Sequence, residues 1–600
     1  MESSTTSPAV GPEIGGLTLG EALRRTAANH PDTVAVRTPD DSVSLTWSEL
    51  LRRVERLAGG LAKLGVARGD TVAIMLSNRP EFHIADLAAV LLGATPFSIY
   101  LTYPPAEIEY LMRDAACRVA IVEQAHTGAL LEASKALGEL EHVIVVDGEP
   151  PEGATSLAAV EASNPDFDPA SEVPETAPED LVTLIYTSGT TGPPKGVQLS
   201  HRNVMAGVET FEQIVAFGPG SRVISWLPAA HIAERMAHHY IPVVLGGTIT
   251  CCPNPREVVS YLPQVRPNWF FAVPRIWEKL KAGLEAMQAA QPEEQQRPVQ
   301  EALAAAVERV RLMQRGEPVP AELEETVARA DTEMFSKLRA MLGLDQAVAV
   351  NVGAAPTPLE VLEFFHALGI ELAELWGMSE TCGSGSCNRS GAVKLGTVGP
   401  PSPGVEMKIG PDGELLVRGD CVMVGYRGAP DKTAEALDGE GWLHTGDIAS
   451  IDDDGYVRIV DRKKEIIINS AGKNMSPANI EAAIKSASPL IGQAVCIGDR
   501  RPYNTALIVL DADYVPQWAT RQGIDSDAFE DLAGDERVIA AVQEAVEQAN
   551  QNLSRVEQIK KFTIVPGDWV PGGQELTPTM KLKRAPIAAK YEAQIDGMYV

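Results

Sequence analysis

Through its first third the chain alternates short apolar runs with capped helical stretches. That rhythm restricts it to folds built from βα units. Thr46 and Glu49 form a capping box, Leu50, Val54, Leu57, Leu61 and Leu64 follow at helical spacing, and Gly65 ends the helix. TVAIML, over 71–76, is short and wholly apolar, as a buried strand is. Pro80 opens a second helix and Gly93 closes it. A third helix, Ala106 to Ala116, precedes another strand-like run, RVAIVE. Strand and helix alternating this way predict a largely parallel sheet.

Composition shifts divide the rest of the chain. Residues 1–16 are rich in Ser, Thr, Pro and Gly and read as a disordered tail. Residues 147–180, rich in Pro, Glu, Ala and Ser, read as a surface linker. Over 276–345 Ala, Glu, Gln, Arg and Leu dominate, which predicts a helical insertion with solvated faces. Over 393–461 the turns Pro411-Asp412-Gly413 and Asp454-Gly455 separate alternating runs, as in antiparallel hairpins. A basic stretch, Arg462-Lys463-Lys464, follows Asp461, and the main boundary is placed there, before a mixed α+β segment. There is no internal repeat.

Charge and cysteine content exclude whole classes. A net charge of −30 repels nucleic acid as a general partner. Seven cysteines with no C-x-x-C pair argue against a disulfide framework and against a zinc site. The N-terminus has no basic and apolar signal-peptide pattern, and the apolar stretch Phe82–Tyr100 is broken by Asp86, Gly93 and Pro96. The expected location is the cytoplasm, with any membrane contact peripheral.

The sharpest local signal is YTSGTTGPPKG, over 186–196. Three glycines permit close backbone approach, successive N–H groups form a concavity for anions, and four hydroxyls with one ammonium suit a polyphosphate. It is not a Walker A loop: Lys195 follows two prolines and precedes Gly196 rather than Ser or Thr. Taken alone it could also be a surface loop.

This motif closely resembles the phosphate loop of the AMP-forming acyl-adenylating superfamily. Further matches occur in the family's order: LPAAHIAER (227–235), NVGAAP (351–356), LWGMSET (375–381), GWLHTGD (441–447), DRKKEIIINSAGKNMSPANIE (461–481) and LTPTMKLKR (576–584). HIAER, LTPTMKLKR and RPYNTALIVLD (501–511) look most like long-chain fatty acyl-CoA synthetases. The resemblance implies an α/β fold. A large N-terminal domain of βα-layered sheets (17–461) carries a small antiparallel β subdomain, and a small mobile α+β C-terminal domain (462–600) follows.

The same resemblance implies roles. Thr187, Ser188, Gly189, Thr190, Thr191, Gly192 and Lys195 would hold the phosphates of ATP. Glu380, with Thr187, would hold Mg²⁺. Trp376 stands where Tyr is frequent and would stack on adenine, and Ser379 keeps the hydroxyl of the more usual Thr. Gly353, Ala354 and Gly377 join the binding set, and the small residues of NVGAAP also suit the floor of an acyl pocket. Asp447 would accept the ribose hydroxyls, and Arg462 would contact ribose or phosphate with its rigid fork. Lys581 would bridge the substrate carboxylate and the α-phosphate, the catalytic contact expected to matter most. His231 would position the acyl group rather than act as a base, since a carboxylate is already ionised near pH 7. Lys464 matches the hinge about which the C-terminal domain turns between half-reactions, and Gly472 the segment facing CoA. IIINSAG is one residue longer than in luciferase-like relatives, so no role is transferred to Asn469, Ser470 or Lys473. His201, Arg202, His238 and His239 are read as structural.

The expected activity is therefore ATP-dependent ligation of a fatty acid to CoA, with ATP, Mg²⁺ and CoA required. Each methylene moved out of water gains about 0.8 kcal/mol, which favours long chains in an apolar tunnel. A ligase loading a carrier protein, a luciferase-like oxidative fate and a non-catalytic acyl- or nucleotide-binding protein are the alternatives. The insertion is read as inert packing in preference to a lid or membrane-facing entrance. Chain length and oligomeric state are not legible.

Overall fold

The computed structural model describes residues 14, 16–137, 140–187, 193–469, 474–526 and 528–600. Its largest sheet has eight strands in the order Gly425–Tyr426, Lys195–Ser200, Leu181–Thr187, Thr95–Ser98, Thr71–Met75, Val119–Val122, His142–Val145 and Ala154–Ser156. From Leu181–Thr187 outward to Ala154–Ser156 every neighbouring pair is parallel; the two strands at the other edge are antiparallel. A second sheet (Arg222–Ser225, Thr248–Cys251, Val34–Arg37, Ser44–Thr46) and a third (Trp269–Ala272, Ala349–Val352, Leu372–Trp376, Ser386–Cys387) are also mostly parallel.

The local rules hold where the sequence was most periodic. Thr46 accepts from the Glu49 N–H and Glu49 reaches back to the Thr46 N–H, opening the helix Trp47–Lys63, which buries Leu50, Val54, Leu57 and Leu61. The helix Pro80–Leu91 is buried along nearly its whole surface, against the helix Trp47–Lys63 and the strands Thr71–Met75 and Thr95–Ser98. That explains why its apolar content resembles a membrane segment; among the described residues no helix is long and apolar enough to cross a membrane. All seven cysteines are free and buried.

Residues 147–180 correct the sequence reading. They are not a linker on the surface: Ala154–Ser156 is the outer strand of the eight-stranded sheet, and the short helix Leu157–Glu161 buries Leu157 and Val160. Its contact with the helix Trp47–Lys63 is so close that a Cβ on Gly60 would lie 2.1 Å from the Val160 carbonyl oxygen. A three-residue strand is too short to show periodicity, so composition alone concealed it. The stretch 276–345 is helical as expected (Pro274–Ala289, Glu293–Gln314, Ala321–Ala330, Ser336–Leu342), with exposed ion pairs such as Arg297–Glu301. Its solvated faces are only half of it, because Trp277, Leu280, Ala302 and Ala306 are buried in the main core.

Glu406–Ile409, Glu414–Arg418, Leu443–Ile451 and Val457–Arg462 form an all-antiparallel sheet turned at Gly413 and Gly455, both with positive φ. Its inner residues Leu415, Val417 and Val457 belong to the main core. Beyond it the apolar core changes ownership. Two further clusters are drawn wholly from Ile467 onward, around the sheet Ile491–Ile497, Asn504–Leu510 and Ile559–Ile564.

Candidate active site

The sequence 186–196 begins on one strand and ends on the next. Leu181–Thr187 and Lys195–Ser200 pair antiparallel, with Thr187 opposite Lys195. Ser188, Gly189, Thr190, Thr191 and Gly192 lie outside the described residues. Lys195, half-buried, opens the second of these strands, with its Nζ 4.0 Å from the ring centre of Tyr426. The Tyr426 hydroxyl donates to Glu380 Oε1 at 2.8 Å. Glu380 is buried in the short turn Ser379–Thr381, whose backbone is tied by the Met423 N–H to the Glu380 carbonyl. Gly377 must be glycine, since a Cβ there would lie 2.1 Å from the Gly383 carbonyl oxygen.

Trp376, at the end of Leu372–Trp376, donates its indole N–H to Asp447 Oδ2 at 2.9 Å. Arg462 Nε lies 2.8 Å from Asp447 Oδ1. The carboxylate expected to take ribose hydroxyls is thus already held by the predicted adenine-stacking residue and by the predicted phosphate contact. Gly353 packs its backbone against Leu375, and Ala354 is exposed with φ +72°, a left-handed position unusual for alanine.

His231 caps the helix Ile232–Arg235: its Nδ1 accepts from the Ala233 N–H at 3.1 Å. Burial, and then the charge of Lys581, push its pKa down to about 4. A neutral ring that accepts at Nδ1 carries its proton on Nε2. His231 therefore presents a donor to the cleft, which suits positioning a carboxylate.

Lys581 comes from the other end of the chain. Its loop closes on itself, with the Thr577 N–H donating to the Lys581 carbonyl at 2.8 Å and the Lys581 N–H to Thr577 Oγ1 at 3.0 Å. Arg584 pins that loop by pairing with Glu465, beside the expected hinge, and with both oxygens of Glu481. Lys581 is exposed as a residue, but desolvation of its ammonium and the neighbouring Arg462 push it below its ordinary pKa, opposed by Asp447, Glu380 and Glu465. Lys195 is pushed the same way by burial and by Lys464 and Lys432, with Glu380 opposing. Asp447 is raised by burial, with Arg462, Trp376 and Lys581 opposing. Two lysines short of counter-charge are what an anion would relieve.

The structure thus brings Lys195, Glu380, Trp376, Asp447, Arg462, His231 and Lys581 to one cleft. Lys464 is exposed on its rim, close enough to bear on Lys195. Ser379 is buried behind Glu380. Gly472, with Ser470 and Lys473, lies outside the described residues. His201 accepts from the Leu19 N–H, and His238 and His239 bind Glu234 and Asp86, all structural as expected. Sequence reasoning missed Tyr426, which lies outside the quoted motifs. It also passed over Glu234 and Arg235, two charges set among apolar residues. Among the described residues no group of three or more His, Cys, Asp or Glu could hold a metal by itself. One buried carboxylate, Glu380, whose charge bears on Lys195, still fits Mg²⁺, which is commonly held through one or two carboxylates, substrate phosphates and water.

The chain is similar to known proteins over most of its length. The sequence profile described as AMP-binding enzyme matches residues 23–427, and that described as AMP-binding enzyme C-terminal domain matches 464–600. A putative fatty-acid–CoA ligase, fadD11, of Mycobacterium tuberculosis is 49% identical over 439 residues, 73% of this chain and 77% of that protein. The long-chain-fatty-acid–CoA ligase FadD15 of Mycobacterium bovis is 35% identical over 581 residues, 95% of each chain. Among solved structures, the anthranilate CoA ligase AuaEII in complex with anthranoyl-AMP superposes with a TM-score of 0.74 at 20% identity, covering 97% of this chain and 98% of that one, a likeness of fold. With both profiles matched in order across the two halves of the cleft, the chain belongs to the AMP-binding enzyme family.

Proposed function

We propose that the protein is an AMP-forming long-chain fatty acid–CoA ligase. The observation that carries the reading is a lysine from the C-terminal segment, Lys581, near enough to Arg462, Asp447, Glu380 and His231 for their charges to bear on one another. Relatives named as fatty-acid–CoA ligases over most of the chain supply the substrate class.

In the first half-reaction a carboxylate oxygen of the acid attacks the α-phosphorus of ATP. The bond to the bridging oxygen breaks, and pyrophosphate leaves with its electron pair. Two anions must meet, so the work is positioning and charge neutralisation. The His231 Nε2–H holds the carboxylate, Lys581 spans carboxylate and α-phosphate, and Lys195 holds the outgoing phosphates. Asp447 exchanges its indole and guanidinium partners for the ribose hydroxyls, which leaves Trp376 free to face the base and Arg462 free for phosphate. Mg²⁺ bound at Glu380 and Thr187 would supply further neutralisation of the triphosphate. In the second half-reaction the CoA sulfur attacks the acyl carbon, AMP leaves with the C–O electron pair, and the thiol proton passes to solvent. Lys581 must withdraw for this. The change of core between Ile459 and Ile467 supports a turn about Lys464 that carries 462–600 as one unit.

Lys581→Ala should lower adenylation, measured by acid-dependent ATP–pyrophosphate exchange, at least a hundredfold. It should leave thioester formation from supplied acyl-adenylate within a few-fold of the parent. Equal loss in both assays would refute the role. A panel of straight-chain acids, with CoA and with a carrier protein as acceptors, should give long-chain acyl-CoA; acylated carrier alone would make the enzyme a carrier-loading ligase.

A further inference from the structure

Tyr426 stands between two opposite charges that the proposed reaction needs separate. Lys195 Nζ rests over its ring, 4.0 Å from the centre, and Glu380 accepts from its hydroxyl at 2.8 Å. The residue is 7% exposed. Its backbone is fixed from both sides: Tyr426 pairs with Val197 across the sheet edge, its N–H donates to Thr433 Oγ1 at 2.9 Å, and the next N–H, of Arg427, donates to the Gly196 carbonyl at 2.8 Å. The ring therefore cannot drift with the side chains it touches.

Lysine is long and flexible, Glu380 is buried, and the two feel each other's charge. In a partly desolvated cleft such a pair attracts strongly. Yet among the described residues Lys195 makes no ion pair with Glu380; the aromatic face takes the ammonium and the phenol takes the carboxylate. Were the two to close on each other, one contact would neutralise both the cation meant for phosphate and the carboxylate meant for the metal.

We infer that Tyr426 is a positioning residue that acts as a spacer. It holds Lys195 and Glu380 apart and aimed, so that the empty cleft stays open to metal-bound triphosphate instead of collapsing into an internal salt bridge. This rests on the nucleotide reading of the cleft given above.

The test is nucleotide binding by calorimetry, which does not depend on turnover, in a two-by-two set. Tyr426→Phe keeps the ring and loses the hydroxyl. It should bind ATP without metal as the parent does, but require about tenfold more Mg²⁺ for full affinity. Tyr426→Leu removes both contacts and should weaken ATP binding at least tenfold, with or without Mg²⁺. The decisive comparison is metal-free ATP binding when Glu380→Gln is added. In the Tyr426→Leu background it should restore at least half of the lost affinity on a logarithmic scale and raise affinity at least threefold more than the same change does in the parent, because the competing carboxylate charge is gone. A merely structural tyrosine predicts no such rescue, and its absence in a Tyr426→Leu protein that melts like the parent would overturn the spacer. If the parent itself binds no ATP, the nucleotide reading fails instead, and the two failures are distinct.

Discussion

Two sets of ion pairs flank the cleft, and they are built in opposite ways. Beneath the His231 loop, Arg235 and Asp86 are both fully buried. Arg235 reaches Asp86 Oδ2 at 2.5 Å, the Tyr240 hydroxyl at 2.8 Å, Ser98 Oγ at 2.9 Å and the Ala229 carbonyl at 3.2 Å, while Asp86 Oδ1 binds His239 at 2.9 Å. Beside it Glu234, also fully buried, accepts from Asn78, Ser225, His238 and the Leu227 N–H. At the other wall, Arg275 pairs with Asp511, and Lys279 with Asp513 at 2.7 Å, joining the helix Pro274–Ala289 to the C-terminal module; Lys279 is 45% and Asp513 73% exposed. The first set is saturated with hydrogen bonds and dry. The second is more open: Lys279–Asp513 is exposed to solvent, while Arg275 is partly exposed and Asp511, which also accepts from the Asp513 and Tyr514 N–H groups, is largely buried. A fixed foundation and, on the proposed turning of the C-terminal module, a contact remade in each cycle call for these two constructions.

The largest effect should come from the foundation. Asp86→Ala leaves the Arg235 guanidinium buried without its counter-charge, which costs about 3–5 kcal/mol. The unfolding midpoint in urea should fall accordingly. Because His231 is carried on the same loop, the fatty-acid KM should rise in whatever protein remains folded. A loss under 1 kcal/mol would show that this network is not the rigid element and would break the comparison.

Glu374 sharpens it, being an intermediate case. This carboxylate on Leu372–Trp376 accepts from the Gly396 N–H at 3.0 Å, and Arg458 acts on it only at a distance. Burial pushes it up to about 7, against the opposing pull of Gly396 and Arg458. Between about pH 4.5 and 7 the native state therefore holds a proton that the unfolded chain has released. Stability conferred by the neutral form is present at the low end of that window and is lost as pH rises through 7. Glu374→Gln should be about 1–2 kcal/mol more stable than the parent at pH 8, after allowance for partial solvent screening, and equal to it at pH 4.5. Urea midpoints across that range check this; a constant difference at every pH would mean that the carboxyl does not titrate there.

What could be read beforehand follows the same division. The capping box at Thr46, the buried strands and the hairpins at Gly413 and Gly455 are local in sequence, and they were legible. The cleft residues were legible because each lies in a motif whose chemistry fits phosphate or carboxylate. Glu234 and Arg235 were visible in HIAER, but their partners Asn78, Asp86 and Ser98 lie more than a hundred residues away, so their burial was not. Tyr426 was hidden for a different reason: a lone aromatic in VGYRG looks like core until the fold brings Lys195 and Glu380 to its two ends. The strand Ala154–Ser156 was too short to carry a period. The pairs Arg275–Asp511 and Lys279–Asp513 join residues over two hundred positions apart on surfaces whose charge alone says nothing of partnership.

Those pairs give the smallest effect and the most direct test of the contrast. Each is worth about 0.2–1 kcal/mol, so removing both cations shifts the balance between the two proposed settings of the C-terminal module by about two-fold to roughly thirty-fold. The pairs exist with Lys581 in the cleft, so the double variant Arg275→Ala with Lys279→Ala should slow adenylation two- to five-fold, while thioester formation from supplied acyl-adenylate holds or quickens. Salt should imitate the mutations: raising ionic strength from about 0.05 to 0.5 M screens exposed charges, whose Debye length falls to a few ångströms. The parent's ratio of half-reaction rates should therefore drift toward that of the variant, whose own ratio stays flat. The Asp86–Arg235 pair is beyond the reach of salt. If the ratio responds to salt equally in parent and double variant, the boundary contacts do not set the balance, and the exposed wall of the cleft is as fixed as the buried one.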